Sequence, residues 1–381
     1  MQLAKKIRLY PTKQQEELFF QFAGTARFAW NESLAYRVER YVKCGLNTTI
    51  QDCIEHIQDL KYNDANYIWL KEVPEAVTKQ AIKDLDKAYK LFFKSGFGKP
   101  KFKKKNKCKV SFYQRTDNFR QVDDTHIKIT GIKSYVKIKK CEIPKKVSNT
   151  RVSFDGKYWY LSYTYDVQEQ RNTGTDTLGI DLGIKDLAIV SNKDVYRNIN
   201  KTQTIKKLEK QKKRLQRQVS RKYERNRQGK HFVKTANIGK LEERIRLLDR
   251  RLRNIRNTYI HEVTKNLVKT TPKRIVIEDL NVRGMMKNKH LSKAVSQQCF
   301  HKFREYLTYK CRLYGIELEL ADRWYPSSKL CSCCGNVKRQ LSLSERVYRC
   351  EVCGFETDRD YNASINLSRY DKNWKKIRYA H

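Results

Sequence analysis

The chain has 381 residues, with 82 Lys+Arg against 41 Asp+Glu, a formal net charge of +41 and a pI near 9.8. That length exceeds one ordinary core, so two to three domains are expected. A cationic excess of this size calls for a polyanionic partner, nucleic acid first among them, because each neutralised phosphate releases counterions. Hydrophobic residues at 39% and aromatic residues at 11% argue against disorder, despite a mean hydropathy of −0.80.

No apolar h-region follows the first six residues, so no secretory leader is expected. No run approaches the ~18 apolar residues of a membrane span. A cytoplasmic, nucleoid-associated prokaryotic protein is the expectation. Residues 2–9 read as a strand ending at Pro11, and Thr12-Lys-Gln-Gln15 has the form of a capping box. The helix behind it places Leu18, Phe19, Phe22, Ala26, Ala29 and Trp30 on one face and runs on to Tyr41. A second helix, residues 76–93 behind Pro74, has Val77, Ala81, Leu85, Ala88, Leu91 and Phe92 as its apolar stripe. Its polar side carries Lys79, Gln80, Lys83 and Lys87, which suit either a solvated face or DNA. The aromatic residues of both helices are read as core.

Residues 95–109 form a basic hinge. Gly96, Gly98 and Pro100 stop the helix, and seven lysines, Lys101, Lys103, Lys104 and Lys105 among them, repel one another unless an anion lies across them. A disordered linker is the competing reading. Short alternating strands follow at 110–112, 126–129, 135–138, 151–154 and 158–165, with turns at Gly131 and Asp155-Gly156. They predict a small β-barrel completed by the N-terminal strand, with residues 11–94 inserted as a helical lobe. The polar stretch 172–177 marks the expected boundary.

Leu178-Gly-Ile-Asp181-Leu-Gly183 then reads as apolar strand and glycine turn. A lone carboxylate in such a strand is costly to bury, so Asp181 should be paired or metal-bound. Glycines at 179 and 183 allow close backbone approach. Residues 203–269 read as a basic helical hairpin broken at Arg227-Gln-Gly229. From 201 to 257 there are 21 Lys/Arg against 5 Asp/Glu, an excess of 16 cations. A solvated coiled coil normally mixes both signs, so this hairpin is expected to face phosphate. Arg274-Ile-Val-Ile-Glu278-Asp279 is a buried strand ending in two acids. Residues 295–313 read as one amphipathic helix and 316–320 as a strand.

Two constellations carry chemistry. Cys331-x2-Cys334-x15-Cys350-x2-Cys353, with glycine after each pair, matches a zinc ribbon in both spacings. Four thiolates imply one structural Zn2+ with no open position, and Cys333 is out of register. The second set is Asp181, Glu278 and Asp360, the last at the start of a predicted helix before Asn362-Ala-Ser-Ile-Asn366. In a ribonuclease H-like sheet such positions converge. Carboxylate oxygens suit Mg2+, and two ions about 3.5–4 Å apart would activate water and stabilise the leaving oxygen. Asp186, Asp279 and Asp358 are read as capping or surface acids.

These motifs, with Ile7-Arg-Leu-Tyr-Pro-Thr, Gly98-Lys-Pro-Lys-Phe-Lys, Tyr325-Pro-Ser-Ser-Lys-Leu-Cys331 and Asp358-Arg-Asp360-Tyr-Asn362-Ala, resemble the TnpB family of transposon-encoded RNA-guided DNA nucleases, relatives of type V CRISPR effectors. The resemblance covers nearly the whole chain. It implies an α+β multidomain fold: a wedge β-barrel (1–10 and 95–172) interrupted by a helical recognition lobe (11–94), then a RuvC nuclease (173–327 and 357–381) with an inserted zinc ribbon (328–356). It also implies a guide RNA from the transposon end, a double-stranded DNA target beside a short motif, and a monomer acting with RNA. Catalysis would fall to Asp181, Glu278 and Asp360, with two Mg2+; Lys79 and Gln80 are candidate readers of the DNA motif. Gln297-Gln298-Cys299-Phe300 departs from the Ser-Trp pair frequent in relatives, read as a packing change. A nuclease-inactive repressor on the same scaffold, a transposase acting without RNA, and an RNA-packaging basic protein are the competing functions.

Overall fold

The computed structural model describes residues 1–374 apart from 106, 118 and 343. Positions 375–381 of the expected nuclease segment, Asn106 of the hinge and Leu343 of the ribbon lie outside the described residues. The chain divides into two compact units, Met1–Val167 and Gln168–His381.

The first unit comprises β1 (Gln2–Tyr10), α1 (Lys13–Cys44), α2 (Ile50–Asn63), a 3-10 turn (Ala65–Glu72), α3 (Glu75–Ser95), then β2 (Ser111–Tyr113), β3 (Arg120–Asp123), β4 (His126–Lys128), β5 (Val136–Ile138), β6 (Ser148–Phe154) and β7 (Trp159–Asp166). Thr12 caps α1 in the anticipated box: its hydroxyl accepts the Gln15 amide, and the Gln15 side chain accepts the Thr12 amide. The sheet runs β2-β6-β7-β1-β5-β4-β3. Its outer strands β2 and β3 do not pair with each other, so the expected barrel is an open half-barrel, and β3 was not anticipated. Phe19 and Phe22 of α1 pack on Phe112 and Trp159 with ring centroids 5.0–5.6 Å apart. The first helix therefore shares the sheet's core. The segment between α1 and α3, for which no element was predicted, forms α2 and the 3-10 turn around Cys53, Ile57, Leu70 and Ile82.

The second unit comprises β8 (Thr177–Leu182), β9 (Asp186–Val190), β10 (Val195–Arg197), α4 (Gln203–Arg225), β11 (Arg227–Gln228), β12 (His231–Phe232), α5 (Ala236–Lys269), β13 (Arg274–Glu278), α6 (Val282–Lys287), α7 (Ser292–Gln298), α8 (Phe300–Leu313), β14 (Glu317–Ala321), β15 (Val347–Arg349), β16 (Glu356–Asp358) and α9 (Arg359–Ser368). Its main sheet is ordered β10-β9-β8-β13-β14. The β8-β9-β10 meander is antiparallel, while β13 and β14 join parallel to β8. The predicted helix 295–313 is two helices. Cys299 adopts φ 55°, a left-handed conformation that no α-helix continues through. Gln298, buried at the end of α7, donates to the carbonyls of Gly183 and Ile184 and so holds the β8–β9 turn. No described helix is long and apolar enough to cross a membrane.

Side-chain alternation decides what the sheet faces. Leu178, Ile180, Leu182, Ile275 and Ile277 point to the layer of α5 and α8, meeting Val263, Leu267, Phe303 and Leu307. Val276 and Ala321 point the other way, onto Leu367 in the last turn of α9 and Tyr370 just beyond it. Gly179 and Asp181 share that second face, as does Glu278.

Candidate active site and metal centre

Three elements bring the acids together. The parallel register pairs Ile277 with Ile180, so Glu278 and Asp181 occupy the next rung, side by side on the α9 face. α9 lies against β8 because Gly179 has no side chain. A Cβ there would stand 2.0 Å from the Ser364 carbonyl oxygen and 2.3 Å from the Ser368 nitrogen. Gly183 is less demanding, with its nearest contact at 3.1 Å to the Asp186 carbonyl. β16 runs straight into α9, whose N-cap is Asp358; the Asp358 carboxylate accepts the amides of Asp360 and Tyr361. Asp358 is thus a cap, as expected, and Asp360 is delivered on the first helical turn.

The Asp181 and Glu278 carboxylates lie within hydrogen-bonding reach of each other. Both residues keep partial exposure while being crowded by protein atoms. Burial first, then the negative charge of Glu278 and Asp360, pushes the Asp181 carboxyl well above the usual carboxylate range. Burial likewise raises Glu278, opposed by a hydrogen bond from the Ser327 hydroxyl at 2.8 Å. Neither Asp181 nor Glu278 has an ion-pair partner among the described residues. Asp360 does: Arg359 Nη2 stands 2.8 Å from its carboxylate and Arg346 Nη1 3.8 Å. Asp279, read as a surface acid, is instead clamped by Arg304 at 3.3 Å and Arg323 at 2.6 Å. The open cleft beside Glu278 holds about 440 Å³ and is lined by Asp279, Arg323, Ser327, Lys329 and Arg359 among others.

The cysteines form the second centre. Among the described residues, Cys331, Cys334, Cys350 and Cys353 are the group of potential ligands whose donor atoms all lie within 4.8 Å of one another. Cys331 and Cys353 sulfurs are 3.7 Å apart, and Cys334 and Cys350 3.6 Å. A tetrahedron with Zn–S bonds of ~2.3 Å has edges of about 3.8 Å, so the thiols fit zinc as they stand. The two knuckles match: Gly335 (φ 76°) and Gly354 (φ 69°) donate to the Cys331 and Cys350 carbonyls. Amides of Val352 and Cys353 donate to the Cys350 sulfur and lower its pKa to about 6. Cys333 is exposed and outside the group. The ribbon's own core is little more than Tyr348 and Phe355 beside two cysteines, too small to fold without metal. Purified protein is expected to carry one equivalent of zinc. Cys350→Ser should lose it and expose Tyr348, read by elemental analysis and by protease cleavage within 328–358; zinc-free protein with an intact ribbon would contradict this.

In the first unit the predicted nucleic-acid contacts have mixed surroundings. Lys79 pairs with Glu75 at 3.0 Å, and Gln80 donates to Asp84, itself bound by Arg151. Lys103 is half-buried with its ammonium 3.4 Å from the centroid of the Trp30 ring. The hinge is not a loose linker there: Trp30 Nε1 donates to the Lys101 carbonyl, and Asn31 exchanges two hydrogen bonds with the Lys103 backbone. Lys101, Lys104 and Lys105 are exposed.

Sequence reasoning gave no role at the site to Ser327, Arg346, Arg359, Asn362 or Asn366. Two asparagines four residues apart on a short helix were the available signal, since buried amides must bind something.

Fold and sites define the class: a mixed α/β chain with a half-barrel sheet, a second sheet carrying a carboxylate cluster, and a metal-ligand group of four cysteines. Family models match residues 300–367 (Cas12f1-like, TNB domain), 160–289 (probable transposase, IS605 OrfB) and 1–45 (helix-turn-helix domain). Over 1–45 the structure has one strand and one unbroken helix. A putative RNA-guided DNA endonuclease of Streptomyces pristinaespiralis is 28% identical over 96% of this chain and 88% of the relative. The putative RNA-guided DNA endonuclease InsQ of Escherichia coli K12 is 28% identical over 96% and 91%. A cryo-EM structure of a Cas12f1–sgRNA–target DNA complex shares the fold, with a TM-score of 0.60 and 17% identity over 94% of this chain and 83% of that one. These matches are all to proteins of the TnpB/IS605 OrfB family and its Cas12f1 relatives.

Proposed function

We propose that this chain is a transposon-encoded RNA-guided DNA endonuclease whose RuvC-like site, Asp181, Glu278 and Asp360, hydrolyses phosphodiester bonds. The observation that carries the reading is the meeting of three carboxylates from three distant stretches on the α9 face of the sheet. The names of the near full-length relatives support the activity class, and the net charge of +41 supports a polyanionic partner. The donor set fits Mg2+, which takes oxygen ligands: two crowded carboxylates lack an ion-pair partner among the described residues, and a divalent ion would offset their repulsion. Bound Mg2+, two ions in this reading, would supply an activated water and stabilise the leaving oxygen. Asp181 and Glu278 hold one rung of adjacent strands in a rigid sheet, Asp360 approaches from the helix, and Arg359 and Arg346 offset its charge.

In this reading residues 1–10 and 95–172 are the wedge, 11–94 the recognition lobe, 173–327 and 357–381 the nuclease and 328–356 the zinc ribbon. A guide RNA from the transposon end pairs with one strand of a DNA duplex. Pairing reads sequence, while the protein reads backbone shape and a short adjacent motif. Lys79, Gln80, Lys101, Lys104 and Lys105 are the proposed contacts in the first unit. Lys103 contributes mainly by fixing the hinge on Trp30. The working unit is one protein chain with one RNA.

The test begins with RNA co-purified with the protein, sequenced, then used with Mg2+ and matched duplex. One discrete RNA species and cutting of matched DNA alone are expected. Glu278→Gln should slow cutting by roughly a thousandfold or more with RNA still bound. Matched DNA left bound but intact would favour the repressor reading; bulk cellular RNA would remove the guide.

A further inference from the structure

We propose that Ser327 is a positioning residue for Glu278, and that buried Asn366 on α9 holds Ser327 in place. Helix α9 would then organise the acid cluster twice, delivering Asp360 on its first turn and steadying Glu278 from its last. The proposal rests on the reading of Asp181, Glu278 and Asp360 as a divalent-metal site.

The Ser327 hydroxyl donates to Glu278 Oε1 at 2.8 Å, and Ser327 is 5% exposed. A serine hydroxyl sits one bond from Cβ, so its reach is set by its backbone. That backbone is clamped. Asn366 Nδ2 donates to the Ser327 carbonyl at 2.8 Å and to the Leu330 carbonyl at 2.6 Å. Asn362, one turn earlier, donates to Leu330 at 2.7 Å and accepts the Ser332 amide at 3.0 Å. The Leu330 amide closes a turn onto the Pro326 carbonyl, and Tyr325 Oη donates to the Asn366 carbonyl. Asn362 and Asn366 are 0% and 2% exposed. Replacing Asn366 with an apolar residue takes this donor from the carbonyl of buried Ser327. These contacts fix the strap 325–332 without the serine hydroxyl, which is aimed away from it, at a crowded carboxylate. A strap needed for shape alone would be served equally by alanine at 327.

A hydrogen bond to a charged group corresponds to roughly 10- to 100-fold in an equilibrium or rate. Manganese stands in for the divalent ion, because its free concentration is read by electron paramagnetic resonance without any cleavage. In zinc-loaded full-length protein, Ser327→Ala is expected to weaken Mn2+ binding about tenfold or more and to slow cleavage at fixed Mg2+. Its zinc content should match the native chain, and its melting temperature without added Mn2+ should fall less than that of Asn366→Asp. Ser327→Thr, whose methyl has the adjoining cleft to enter, should restore Mn2+ binding. Asn366→Asp, which keeps shape and loses both donors, should weaken Mn2+ binding and also lower stability. Unchanged Mn2+ binding in Ser327→Ala overturns the positioning role, whatever cleavage does. Weakened Mn2+ binding in a protein that never cuts DNA upholds the positioning role and removes the nuclease reading. Mn2+ binding insensitive to Asp181→Asn as well removes both.

Discussion

In chelator at pH 8, Asp181→Asn is expected to melt at a higher temperature than the native chain, while cutting no DNA at any Mg2+ concentration. Asparagine keeps the shape and removes one of the crowded charges. The sign follows from the direction of the pKa shifts. Asp181 and Glu278 titrate above the ordinary carboxylate range, through burial first, then the negative charge of Glu278 and Asp360 on Asp181 and of Asp360 on Glu278. A carboxyl raised on folding stabilises the folded state when protonated, and that contribution is lost as pH rises through its folded pKa. At pH 8 the metal-free cluster is therefore a net strain. The advantage of Asp181→Asn should shrink as pH falls towards 4, where the native pair regains its protons. Added Mg2+ should reverse the order, because a ligand that binds only the folded state stabilises it by mass action and the variant binds it poorly. Thermal melts across pH in chelator, then in Mg2+, check this. A pH-independent difference, or a variant less stable at pH 8, would show that the acids are not crowded in the absence of metal.

Gly179→Ala is expected to be a strongly damaging single-methyl change at the acid cluster. The atoms its Cβ would strike are backbone of α9, at 2.0 Å and 2.3 Å, so no side chain can rotate away. The helix must move, and Asp360 moves with it. Overpacking typically costs 1–3 kcal/mol, and a rigid backbone clash belongs at the upper end, about 3 kcal/mol or more. With ~2–4 °C lost per kcal/mol in a unit of this size, the melting temperature should fall by roughly 6–12 °C. Cleavage should fall further than folding does, measured at a temperature where the variant is still native. Gly183→Ala, meeting one carbonyl at 3.1 Å, is the milder control. Equal stability for Gly179→Ala and the native chain would mean that α9 does not rest on β8 as described.

The legible parts of this molecule were those written locally. A capping box, a four-cysteine spacing and apolar strands ending in acids are short-range patterns, and each formed where expected. The hairpin 203–269 formed too, because its two stripes repeat at helical spacing, though its tip carries a small β-ribbon at 227–232. The failures share a cause. Cys299 splits a helix through a backbone angle that no residue pattern announces, and the half-barrel stays open because its outer strands β2 and β3 lie at opposite edges of the sheet. Lys103 looked like one cation among seven until Trp30 lay beneath it.

By itself the sequence determined which residues could do chemistry: four thiols at ribbon spacing, and acids set where burial without a partner is costly. Only the tertiary structure decided which of them meet, because meeting depends on long-range register. The rung shared by Ile180 and Ile277 sets Asp181 beside Glu278, and the missing Cβ of Gly179 lets α9 come close enough to bring Asp360. Nothing within a few residues of Ser327 says that its hydroxyl will find a carboxylate forty-nine positions earlier in the chain; Asn366 on α9 does that, by holding the carbonyls of Ser327 and Leu330.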